Sequence, residues 1–205
     1  MIMDVHPSFL ISKPGQIIQE VMVSKETEVS PLDDACCQTI SWRRKCTAEW
    51  DMDSQSFQPL SQTKLVDEPV VLLFFEANRF IQHIVEDTLD GTIRKLKRSC
   101  RDKQVMMMME GLETYYKKRK LLESRQFQQA VRQSINDDND TRSASSKRKK
   151  KTSIYETGPK KEEVEKVLVQ LQMVEDIMLI PTKSAADSAS WLESLTTDLA
   201  LGRYK

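Results

Sequence analysis

The sequence predicts a three-layer α/β domain with a largely parallel central sheet, and three observations predict it. Val70–Phe75 (VVLLFF) is an unbroken apolar run of strand length, the pattern of a sheet interior covered on both faces. Directly after it the period changes: Ala77, Phe80, Ile81, Ile84 and Val85 fall on one face of a helix. A second short apolar run, Val105–Met109, then follows another helical stretch, Thr92–Cys100. Strand, helical crossover and strand make a βαβ unit, whose two strands are parallel.

The other elements follow in chain order. Lys13–Gly15 reads as a turn opening a short helix over Gln16–Met22. Glu28–Leu32 and Thr39–Cys46 read as strands, the second containing ISWRRK. Residues 47–67 are polar and poor in pattern, which predicts an exposed loop. Four successive methionines, Met106–Met109, fit a buried strand, because methionine fills irregular core space. Glu110–Ile135 has a helical pattern with a basic KKRK block. The span 136–160 combines NDDND with SASSKRKKKTS, is poor in apolar residues, and reads as a disordered basic linker. Val164, Val167, Leu168, Leu171 and Val174 restore the helical period. Ile177–Ile180 is a short strand stopped by Pro181, and Trp191, Leu192, Leu195 and Leu199 mark a last helix.

At 205 residues the chain is long enough for one such domain, residues 1–205, with a real core. Its longest apolar run falls far short of the ~18 residues that span a bilayer, so no membrane role is expected. MIMDVHPSFL lacks a basic segment followed by an apolar one, which argues against secretion. Cys36, Cys37, Cys46 and Cys100 show no metal-ligand spacing, and His6 and His83 are the only histidines, so no zinc site is expected. Reduced, intracellular cysteines are the simplest reading. The net charge is zero but unevenly placed: residues 94–161 hold 20 Lys/Arg against 8 Asp/Glu, a local +12. Such asymmetry suits an anionic partner such as nucleic acid, or equally a solvated linker beside ordinary surface lysines.

Three ordered segments carry a family resemblance: the ISWRRK strand, Glu68–Gly111 with the VVLLFFEANRF junction, and the closing TKSAADSASWLESLTTDLALGRYK. Together they resemble the XPF/Mus-type nuclease domain of structure-specific DNA endonucleases, and within that group the Eme family of non-catalytic subunits. The resemblance implies the restriction-nuclease-like XPF fold. Catalytic members carry a Gly-Asp pair before the tryptophan and Glu-Arg-Lys-x-x-x-Asp at the strand-to-helix junction. Those carboxylates converge on magnesium, with the lysine near the attacking water. In this chain the Gly-Asp pair falls on Gln38 and Thr39, the Glu-Arg-Lys triplet on Glu76, Ala77 and Asn78, and the later aspartate on Gln82. A further family aspartate falls on Leu72, so Glu76 alone survives. No catalytic residue and no bound metal are therefore expected, with magnesium held by a catalytic partner. Glu76 is expected to cap the following helix. Glu110, at the end of the next strand, is the one available second ligand.

The resemblance further implies a heterodimer with a catalytic Mus-type subunit, acting in the nucleus on branched DNA in recombination and repair. Its interface would use the last strand and helices, here Trp191, Leu195, Leu199 and Tyr204 with the face of Val164–Leu171. The simpler reading is that these stripes face the chain's own sheet. Lys117, Lys118, Arg119 and Lys120 are candidate phosphate contacts on a helix. Lys147, Arg148, Lys149, Lys150 and Lys151 suit an import signal, a phosphate-binding arm or a linker. Trp42 with Arg43, Arg44 and Lys45 is either core or a further phosphate contact. Relatives continue into helix-hairpin-helix motifs, which are absent before the last residue, Lys205. Two rival functions are a magnesium-dependent nuclease active in its own right and a protein-interaction adaptor without DNA binding.

Overall fold

Six strands build one sheet: Ile2–Val5 (β1), Glu28–Pro31 (β2), Thr39–Asp51 (β3), Ser56–Glu76 (β4), Gln104–Glu110 (β5) and Met178–Thr182 (β6). Their order is β2-β1-β3-β4-β5-β6. β3 runs antiparallel to both neighbours, and every other pairing is parallel. The computed structural model describes residues 1–32, 38–136 and 158–201. The proposed linker between Asn136 and Gly158, Lys147–Lys151 and Tyr204 lie outside the described residues.

Alternation along β4 explains its unbroken apolar run. Val71, Leu73 and Phe75 enter one core, and Leu72 and Phe74 enter the other. The first core lies under Ala77–Val85 (α3), Leu89–Ser99 (α4), Leu112–Asn136 (α5) and Lys161–Met173 (α6). The second lies under Pro7–Leu10 (α1), Lys13–Ser24 (α2) and Ala185–Leu201 (α7). This gives the three layers, and the β4–α3–α4–β5 crossover joins parallel strands as predicted. The methionine run divides the same way, with Met107 and Met109 in one core and Met108 in the other.

Three sequence expectations need correction, and two elements went unpredicted. Residues 47–67 are not a loop: they complete β3 and begin β4, a long hairpin with a turn near Met52. β1 and α1 precede the first expected helix, and β1 is buried along its whole length. α2 begins at Lys13 rather than Gln16, with Ser12 capping it through the Gly15 N–H. β6 continues through Pro181, which an edge strand tolerates because its outer side needs no donor. Gly15 allows α1 and α2 to meet, since a Cβ there would stand 2.0 Å from the Phe9 carbonyl oxygen.

ISWRRK locks the second layer to the sheet. Trp42 is fully buried, and its indole N–H donates to the Thr196 hydroxyl of α7 at 2.9 Å. Arg43 donates through two nitrogens to the buried carboxylate of Asp4, each at 2.5 Å. Arg44 donates to Glu68 at 2.8 Å and to the Ala200 and Leu199 carbonyls at the end of α7. Lys45 pairs with Glu28 at 2.6 Å. Arg43 and Arg44 are thus engaged within the fold rather than held ready for phosphate, Lys45 sits in an exposed ion pair, and Trp42 is core.

Candidate functional site

Parallel strands present their carboxyl ends on one side of a sheet, and ligand crevices of open α/β sheets lie there. In this chain the register brings Glu76 of β4 beside Glu110 of β5, and Glu110 beside Thr182 of β6. A shallow cleft of about 220 Å³ opens over these ends, lined by Glu76, Asn78, Glu110, Lys118 and Lys183 among others. Its floor is shaped by Gly111, whose φ of +78° turns the chain sharply from β5 into α5. The Gly111 N–H donates to the Thr182 carbonyl at 2.8 Å, fixing β6 against that turn.

The two carboxylates differ. Glu76 is exposed and occupies the N-cap position of α3, but its side chain makes no capping hydrogen bond. The expected capping role is thus absent; Glu lacks the short reach of the preferred caps Asp, Asn and Ser. Glu110 is partly buried and accepts a hydrogen bond from the Ser188 hydroxyl at 2.8 Å. Ser188 in turn lies 2.7 Å from the Thr182 hydroxyl, in a small buried polar chain. Burial pushes the Glu110 carboxyl above its ordinary range; the Ser188 bond opposes this, and the neighbouring Glu76 charge adds to it.

The remaining motif positions offer no ligand. Thr39 is buried, and its carbonyl accepts from the His6 N–H. Leu72 is fully buried opposite Ile40, its side chain part of the second core. Ala77 turns into the first core, while Gln82 lies on the exposed face of α3 and donates to Glu86 at 2.7 Å. Among the described residues no group of three or more His, Cys, Asp or Glu could hold a metal ion. Of the cleft's two carboxylates one is drawn toward its protonated form, and two lysines line the same wall. That donor set does not fit a magnesium ion, which takes converging carboxylates.

The basic helix does not form one flat patch. Consecutive residues on a helix are ~100° apart, so KKRK fans around α5. Lys117 pairs with Glu113 one turn earlier, Lys118 lines the cleft, and Lys120 borders a separate recess with Tyr116 and Lys160. Arg119 is mostly buried and donates to Glu123 and to the Gly158 and Pro159 carbonyls, anchoring the chain that enters α6.

The candidate interface residues also separate. Leu195 and Leu199 pack against the chain's own second core, whereas Trp191 stands 49% exposed on the outer face of α7. Val164 and Leu171 are likewise buried inward, and Val169 and Met173 are exposed large apolar residues of α6. Lys183 and Ser188 escaped the sequence reading although both lie in TKSAADSAS. Only the parallel placement of β6 beside β5 brings them to Glu110.

Comparison with known proteins is consistent with this geometry. Residues 14–195 match the ERCC4 domain. Crossover junction endonuclease eme1 of Schizosaccharomyces pombe is 25% identical over 167 residues, covering 82% of this chain and 21% of that protein. Crossover junction endonuclease EME1 of Eremothecium gossypii is 27% identical over 167 residues, covering 80% of this chain and 22% of its own length. The chain thus spans about a fifth of these curated relatives. XPF from Aeropyrum pernix, in complex with DNA, superposes with a TM-score of 0.53 at 11% identity, covering 100% of this chain and 67% of that one. No helix among the described residues is long and apolar enough to cross a membrane.

Proposed function

The chain belongs to the ERCC4 domain family, and from that premise we propose that it is the non-catalytic, DNA-positioning subunit of a heterodimeric structure-specific endonuclease. The pair acts on branched DNA, namely 3′ flaps, replication forks and nicked Holliday junctions, in the nucleus during recombination and repair. A catalytic Mus-type subunit holds the magnesium and cuts. The observation that carries the reading is the strand-end cleft, where Leu72 and Thr39 are built into the fold and Glu76 keeps only Glu110 for company. Phosphodiester hydrolysis needs a metal clamp or a positioned base, and this cleft offers neither.

Lysines suit the remaining task. Lys118 and Lys183 on the cleft wall give a positive surface that neutralises backbone phosphates without reading bases. Trp191, exposed on α7, and the open edge of β6 form the surface offered to the catalytic subunit. Leu195 and Leu199 support it from beneath.

Co-expression with a catalytic Mus-type subunit tests the proposal. The expected result is co-purification as a one-to-one pair that cleaves a flapped duplex faster than the catalytic subunit alone. Trp191→Ala should weaken the pairing without unfolding the chain. Failure to co-purify, or a pair no faster than its catalytic member, would refute it.

A further inference from the structure

The β3–β4 hairpin extends well beyond the sheet that anchors it. β1 pairs with β3 only as far as Arg43, and β5 pairs with β4 only from Val70 onward. From Arg44 to Asp51, and from Ser56 to Val66, the two strands pair only with each other. Eight residues of β3 at ~3.3 Å each carry this two-stranded arm about 25 Å outward. The pairing skips between Cys46 and Ala48, where Cys46 opposes Lys64 but Ala48 opposes Pro59, so the arm is bulged at its middle.

The bulge encloses a groove of about 460 Å³ whose apolar wall is Trp50, Phe57, Leu60 and Val66. Trp50 and Phe57 meet edge to face, ring centroids 5.0 Å apart, yet are 48% and 61% exposed. Met52 at the tip is 81% exposed and Leu65 48%. A bare two-stranded ribbon is marginal in water. Four large apolar side chains left on such a ribbon mark an interaction surface.

Charge decides the occupant. Over Arg44–Val66 the arm's three cations, Arg44, Lys45 and Lys64, are each held by a carboxylate, Glu68, Glu28 and Glu49, which leaves Asp51 and Asp53 as the uncompensated charges of its tip. Lys64 is paired with Glu49 at 3.0 Å. Asp51 accepts from the Ser54 hydroxyl and from the Asp53 and Ser54 N–H groups, which shape the turn, and Asp53 is exposed beside them. This tip repels the phosphates of nucleic acid, and a second copy would set acid against acid. Its complement is a protein segment that alternates apolar residues with Lys or Arg. The unpaired strand edges can take such a segment as an added strand.

We propose that the β3–β4 arm is a protein-docking element that receives an extended, basic, apolar-alternating segment of a partner protein. The test is an array of synthetic extended peptides of equal apolar content and graded net charge, probed with the full chain. Peptides alternating Lys or Arg with Val, Ile or Phe should bind, and acidic peptides should not. Trp50→Ala with Phe57→Ala should weaken binding about tenfold. Glu49→Lys with Asp53→Lys should turn the preference toward acidic peptides, Asp51 being left to hold the turn. All four side chains are exposed, so an unchanged urea midpoint will show that the variants fold. Binding indifferent to peptide charge, binding unmoved by either pair of substitutions, or no peptide bound would each overturn the proposal. Competition by a single-stranded oligonucleotide, or self-association lost in the aromatic variant, would overturn it in favour of nucleic acid or a second copy.

Discussion

Leu72→Asp places a carboxylate where the resemblance sets a family aspartate, and its cost measures how completely this position is core. Leu72 is fully buried on the central strand among Val5, Ile40, Phe74 and Met108. Removing the leucine packing costs about 3–5 kcal/mol. The new carboxyl has no cation in that cluster, so it folds protonated; protonating an ordinary aspartate at pH 7 costs about 4 kcal/mol. The total, about 7–9 kcal/mol, approaches the whole stability of a typical domain, about 5–15 kcal/mol. The folded pKa is raised, so the penalty is smallest below the unfolded value and grows with pH, by about 1.4 kcal/mol per unit, until the folded value is passed. Urea unfolding at pH 5 and pH 7 should show this dependence for Leu72→Asp and none for Leu72→Asn. A loss under about 2 kcal/mol, independent of pH, would mean that the position is open to water and the reasoning is wrong.

Three further outcomes are expected from the same kind of measurement. Glu68→Ala leaves the Arg44 guanidinium buried beside only two carbonyls and should cost about 3 kcal/mol, most of it recovered by replacing both partners with apolar residues. Trp42→Phe loses the bond to Thr196 and part of a fully buried ring, and should cost about 1–3 kcal/mol by urea midpoint. Burial holds Glu110 above the ordinary carboxylate range, so its ionisation opposes folding as pH rises through that range and has no effect below it. Glu110→Gln should therefore raise the urea midpoint at pH 7 and leave it little changed near pH 4.

The layers were legible because burial on both sheet faces leaves an apolar run, as at Val70–Phe75, and burial on one helix face leaves a 3.6 period, as in α3. The arm was not, because a ribbon wet on both faces keeps no alternation: Thr47–Asp51 and Gln58–Lys64 are largely exposed whichever way they point. β1 hid for the opposite reason, since it is buried throughout and its one charge, Asp4, is matched by Arg43 far along the chain. Local spacing placed Glu76, Ala77 and Asn78 at the strand-to-helix junction. It could not show that Glu110, Lys118 and Lys183 share that cleft, because sheet order brings them there. Nor could periodicity separate Trp191 from Leu195 and Leu199. All three sit near one helical stripe, and only the α7–sheet contact shows which one faces out.

If the strand-end cleft lacks what hydrolysis needs, as proposed, this chain by itself leaves DNA intact. Incubating the isolated chain with a flapped duplex, in magnesium or manganese and beside Glu76→Ala, tests it most directly. No strand scission is expected from either protein. Cleavage by the isolated chain that disappears in Glu76→Ala would contradict it.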